Sequence, residues 1–138
     1  MSRNIFMVMA GLCLVLVSCQ EDFDPGNSSV YPVSGNWYVV YDYEDGASLA
    51  EDHLYIYNTA TPNDSAWVDD GVFYGAKVRV HVTGNTFSVV EGEDVEFGSG
   101  LVTINGEVFE EDSIYVTFEY VDTGETVVAS GHRTTGFE

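Results

Sequence analysis

From Gly35 onward polar and apolar residues alternate with period two, and no window shows helical periodicity. In Asn36–Tyr43, Trp37, Val39, Tyr41 and Tyr43 fall on one face, with Tyr38, Val40 and Asp42 on the other. His53–Asn58 sets Leu54 and Ile56 against Tyr55 and Tyr57. Lys77–Thr83 alternates throughout, Lys77, Arg79, His81 and Thr83 opposing Val78, Val80 and Val82. Gly84-Asn85 marks a tight hairpin into Thr86–Val90. Leu101–Ile104 and Glu107–Glu110 flank Asn105-Gly106, the strongest short hairpin signal in the chain. Ser113–Val121 and Thr126–Arg133 follow, joined by Asp122-Thr123-Gly124-Glu125, and a further strand is expected around Val72–Tyr74. Thr59–Asp70, with Pro62 and Trp67, reads as a long loop, either a crossing or a lid over a barrel mouth. The pattern predicts one all-β domain over residues 35–138, an antiparallel meander of about eight strands closed into a small barrel. Closure removes the open edges that make a chain rich in aromatic and β-branched residues aggregate. A two-sheet sandwich is the alternative.

The first residues follow different rules. Met1-Ser2-Arg3-Asn4 is a short, singly basic start, and an apolar run from Ile5 to Val17 follows, broken only by Gly11. That run is too short for a hydrocarbon core of about 30 Å, which takes about 20 residues, and reads as a secretory leader. Leu16-Val17-Ser18-Cys19 resembles the bacterial lipobox, in which a small residue precedes the cysteine that is lipidated and becomes the new N-terminus. The expected organisation is a signal peptide over 1–18, a lipidated, acidic, flexible tether over 19–34, and the barrel after it. Cys13 leaves with the leader and Cys19 carries the lipid, so the domain has no cysteine left for a disulfide. Two or three acyl chains make a lasting membrane anchor where one does not. Gln20-Glu21-Asp22-Phe23-Asp24 is similar to the acidic export signal that sends lipoproteins of Bacteroidetes-type bacteria to the cell surface. The expected location is therefore the outer membrane, facing the exterior.

Charge narrows the partners. Lys and Arg total 4 against 23 Asp and Glu, for a net charge of −19. Nothing in such a chain neutralises phosphates, so nucleic acid is excluded as a partner, as is adsorption to anionic lipid through basic patches. With 45% hydrophobic residues the chain is too apolar for a solvated acidic tail, and its acidity favours a soluble, monomeric domain.

Gly35-Asn36-Trp37, opening the first strand, is similar to the Gly-x-Trp of lipocalin-like and calycin-like barrels. That resemblance implies that Trp37 closes one barrel end and that an arginine near the last strand, here Arg133, packs over it. A cation over an indole gains about 0.5–2 kcal/mol. The stretch from residue 30 to 138 resembles a more specific group, the small Bacteroidetes lipoproteins called lipid-binding putative hydrolases. The resemblance rests on Gly35-Asn36-Trp37-Tyr38-Val39, Asp112-Ser113-Ile114-Tyr115 and Ser130-Gly131-His132-Arg133-Thr134-Thr135-Gly136-Phe137-Glu138. It implies a calycin-like barrel with a lipid or other small amphipathic ligand, and it carries over no catalytic residue.

The sequence itself offers little chemistry. There is no Gly-x-Ser-x-Gly elbow for a serine esterase; Ser130 and His132, at i, i+2 on one strand face, are the only weak candidates for a nucleophile and base. His53, His81 and His132 are scattered and form no zinc signature, and no cofactor motif is present. Glu91-Gly92-Glu93-Asp94 and the group Asp42, Glu44, Asp45, Glu51 and Asp52 cluster hard oxygen ligands without an EF-hand spacing, and a solvated acidic surface accounts for them. The basic row Lys77, Arg79, His81 either displays outward, paired with acidic neighbours, or faces an anionic head group inside the barrel. The expected function is ligand binding in a lumen lined by Trp37, Val39, Tyr41, Val116 and Phe118, with Gly35, Trp37 and Arg133 structural. The alternatives are a lipid-ester hydrolase and a non-catalytic module that binds glycans or proteins.

Overall fold

The computed structural model describes residues 28–43, 49–60, 63–71, 75–98 and 100–136. The leader, Cys19 and the expected strand around Val72–Tyr74 lie outside them. Eight strands follow in order: β1 (Gly35–Tyr43), β2 (Leu49–Asn58), β3 (Ser65–Asp69), β4 (Lys77–Thr83), β5 (Thr86–Glu93), β6 (Leu101–Phe109), β7 (Ser113–Tyr120) and β8 (Glu125–Arg133). Each pairs antiparallel with the next, and β8 returns to β1 to close the barrel. The closing register sets Trp37 opposite Arg133 and Tyr43 opposite Val127. This is the all-β closed meander that the alternation predicts.

Period-two alternation becomes the inside and outside of the barrel. On β4, Val78, Val80 and Val82 are buried while Arg79, His81 and Thr83 are exposed. The basic row is thus on the outer wall and faces no ligand in the lumen. Lys77 pairs there with Glu96 at 2.8 Å and Asp69 at 4.0 Å, over the rings of Tyr57 and Trp67. The hydrogen bond to Glu96, and a second to Tyr57, raise its pKa.

Two local readings are corrected. Asn105-Gly106 is no turn: it lies within β6, where Gly106 pairs with Phe87 on one side and Val116 on the other. A Cβ on Gly106 would meet the Phe87 ring, so the glycine is the space that ring occupies. Tertiary packing overrides the local hairpin preference. The turn comes later, at Glu110 and Glu111, both in the left-handed region (φ 51° and 68°), with Asp112 N–H donating to the Phe109 carbonyl at 3.2 Å. The second correction is Thr59–Asp70, which contains β3: Ala66 and Val68 are buried on its inner face, and five residues are too few for their alternation to stand out beside Pro62.

The two barrel ends differ. At the Trp37 end, residues 28–34, expected as the last part of a flexible tether, are folded into turns, with Val33 N–H donating to Val30 O at 3.1 Å. Val30 and Val33 are buried against the barrel floor, an apolar pair that a solvated spacer would leave in water. At the far end two buried aspartates shape loops. Asp94 Oδ1 accepts backbone N–H bonds from Lys77, Glu96 and Phe97, and Asp70 Oδ1 accepts one from Ala76 at 2.7 Å.

Candidate functional site

Trp37, Val39 and Tyr41 point inward from β1, and Val116 and Phe118 from β7, so the five residues expected to line a ligand cavity share one interior. Leu54, Ile56, Val68, Phe87 and Ile104 fill the space between them, all nearly inaccessible. Tyr41 and Phe118 stand ring to ring at 6.5 Å. Together they form the hydrophobic core of the barrel. Near the far end the Tyr120 hydroxyl donates to buried Asp70 at 3.5 Å. Burial, reinforced by the charges of Asp70, Asp52 and Asp69, raises the pKa of the neighbouring Tyr41 phenol.

Arg133 gathers the Trp37 end around itself. Arg133 Cζ lies 4.2 Å from the Trp37 ring centroid. Its Nε donates to Glu111 O at 3.1 Å, its Nη1 to Ser34 O and its Nη2 to Pro32 O at 3.4 Å. Trp37 Nε1 donates in turn to Val33 O at 3.2 Å. A Cβ on Gly35 would run into the Arg133 guanidinium, which is the physical reason the residue two before Trp37 has none. The arginine thereby ties the 28–34 segment to the turn between β6 and β7.

Between those tied segments lies a cleft of about 850 Å³, lined by Tyr31, Pro32, Gly84, Asn85, Val108, Glu110, Glu111 and Arg133. That volume falls within the range of about 300–1,000 Å³ usual for small-molecule sites. Buried Val108 contributes to an apolar floor and half-exposed Tyr31 to one wall. Asn85 is fixed by donating Nδ2 to Val108 O at 2.9 Å. Of the cleft residues only Arg133 stands out in the sequence. The others come from three separate turns and, with Val108, the adjoining end of β6, and nothing in the chain's pattern shows that they meet.

Ser130 and His132 point away from the interior on β8, both exposed to solvent. His132 pairs across the strand with Tyr38, whose ring is 5.9 Å from the imidazole. Ser130 pairs with Val40 on one side and Tyr115 on the other. Neither lines the cleft, and the open wall has none of the water exclusion that makes an acyl-transfer site effective. Among the described residues, no three of the His, Cys, Asp and Glu side chains stand close enough to hold a metal ion. Of the acidic positions, Asp94 is engaged in its loop, Glu51 accepts the Tyr38 hydroxyl at 2.6 Å and Asp52 accepts His53 N–H at 2.7 Å, while Glu44 and Asp45 lie outside the described residues.

The architecture is similar to that of a redesigned beta barrel, with a TM-score of 0.53 at 14% sequence identity, over 78% of this chain and 96% of that one. At that identity the likeness concerns the fold alone. No curated protein matches the sequence. A family model described as "Lipid-binding putative hydrolase" matches residues 22–138, which takes in every strand of the barrel as well as the segment that plugs its Trp37 end. The chain belongs to that lipid-binding family.

Proposed function

We propose that this protein is a lipid-anchored lipoprotein of the outer membrane, exposed at the cell surface, that binds a lipid or similar amphipathic molecule in the cleft at the Trp37 end. The cleft itself is the observation that carries the reading: it is preformed, has an apolar floor and a polar rim, and belongs to a barrel of a lipid-binding family. The interior, by contrast, is filled by Trp37, Tyr41, Phe87 and Phe118, and a chain entering it would have to displace packed aromatic rings. The lipobox-like Leu16-Val17-Ser18-Cys19 supports the anchor. Cys19 stands nine residues before Ser28, where the plug segment begins.

The test uses Trp67→Phe, which leaves Trp37 as the protein's one indole. A brominated twelve-carbon amphiphile should quench Trp37 fluorescence saturably, and adding Tyr31→Ala together with Asn85→Ala should weaken that binding several-fold. Unchanged binding in the triple variant would move the site away from the cleft. For the anchor, Cys19→Ala should shift the protein from the detergent phase to the aqueous phase; identical partitioning would end the lipoprotein reading.

A further inference from the structure

The cleft carries information about the head group of its ligand. Among the described residues three charged side chains line it: Arg133, Glu110 and Glu111. The arginine is already engaged, its Nε and both Nη atoms directed at the carbonyls of Glu111, Ser34 and Pro32 and its face covered by Trp37. Three of its five N–H donors are so committed, which leaves one on each Nη atom and sets a single, largely engaged cation against the carboxylates around it. The two carboxylates, by contrast, stand at the exposed rim. Glu107, acidic too, accepts from the Nδ2 of the lining residue Asn85 at 3.4 Å. Asp112, the last charge on the turn, is engaged by the Ser113 hydroxyl at 3.0 Å. The field over the rim is therefore negative, within a chain whose net charge is −19.

Resting on the lipid-binding reading of the same cleft, we infer that its ligand is an amphiphile whose head group bears an ammonium, and that the site discriminates against free fatty acids and other carboxylate amphiphiles. The apolar chain lies along Tyr31, Pro32 and Val108, and the ammonium stands between Glu110 and Glu111. The turn is consistent with retention for the carboxylates: both residues have positive φ, where glycine and asparagine fit far better.

The experiment compares dodecylammonium, dodecylphosphocholine and dodecanoate, each below its micellar concentration, by calorimetry on the wild type and two double variants. In Glu110→Asn/Glu111→Gly the turn receives residues its backbone favours, so this variant should melt at a higher temperature than the wild type and cannot be dismissed as unfolded. Glu93→Gln/Glu119→Gln removes the same charge from exposed positions outside the cleft. The wild type should bind dodecylammonium at least about tenfold more tightly than dodecanoate, with dodecylphosphocholine between them, since two rim carboxylates act with opposite sign on the two head groups. The rim variant should narrow that ratio to about threefold or less, and the outer-wall variant should keep it. Dodecanoate binding as tightly as dodecylammonium to the wild type would overturn the inference and leave the lipid-binding reading in place. An equal narrowing in both double variants would show general charge attraction and overturn it as well. Binding of none of the three amphiphiles would remove the lipid-binding reading and the inference with it.

Discussion

Arg133 and Trp37 face each other across the closing pair of strands, guanidinium over indole at 4.2 Å, although one ends the last strand and the other opens the first. Their contact seals one end of the barrel and positions the walls of the cleft. Trp37→Ala removes a large, fully buried side chain and should cost roughly 3–5 kcal/mol. Arg133→Ala forfeits the cation–π contact and the donors to three carbonyls, for about 1–3 kcal/mol. Because the losses overlap, the double variant should fall short of their sum by at least about 0.5 kcal/mol in denaturant melts. Strict additivity would mean that the two side chains act independently.

Phe87 and Gly106 form a second pair whose fit is testable. Alanine at 106 directs a methyl group into the Phe87 ring, so Gly106→Ala should destabilise by about 1–3 kcal/mol, although alanine is ordinarily the better strand residue. Adding Phe87→Leu should recover part of that loss. Asn105→Thr, on the exposed face beside it, should stay within about 0.5 kcal/mol of wild type. If Asn105→Thr proved the more damaging change, the two residues would form a turn after all.

That pair also shows where sequence reading stops. The alternation of Lys77–Thr83 or Ser113–Tyr120 is legible because half of each strand is buried and half is wet, and burial itself imposes the pattern. Asn105-Gly106 mimics a turn because the same missing Cβ that permits positive φ also makes room for an aromatic ring. The cleft was illegible for another reason. Tyr31-Pro32 reads as tether, Gly84-Asn85 as a hairpin turn and Glu110 as the end of a strand, and only barrel closure brings them together. Arg133 was the exception, since its place near the chain's end matched a motif at the start of the barrel.

Tyr41 should give the protein an alkaline limit. Burial foremost, then the charges of Asp70, Asp52 and Asp69, raise its folded pKa above the usual value near 10. The unfolded chain therefore ionises this phenol first. The stability it contributes is whole below about pH 10 and is lost as pH rises beyond that, by up to about 1.4 kcal/mol per pH unit for one group. Tyr41→Phe should flatten the decline between pH 10 and 12 by about that slope while leaving the other tyrosines to titrate. Parallel curves for the two proteins would show that Tyr41 ionises equally easily folded and unfolded.

Ser130 and His132 bear on the second half of the family's description. A serine hydrolase needs its nucleophile and base within hydrogen-bond reach, donors aimed at the developing oxyanion, and a site closed to water. Here both side chains stand exposed on the outer face of β8, with Tyr38 and Tyr115 as their cross-strand neighbours. The alternation that buries Val127 and Ala129 is what sends Ser130 and His132 outward. Ser130→Ala and His132→Ala should therefore fold normally and leave the hydrolysis of a short-chain nitrophenyl ester at the wild-type level. A tenfold or greater loss in either variant, with an unchanged melting temperature, would place the chemistry on this wall and make the protein an esterase.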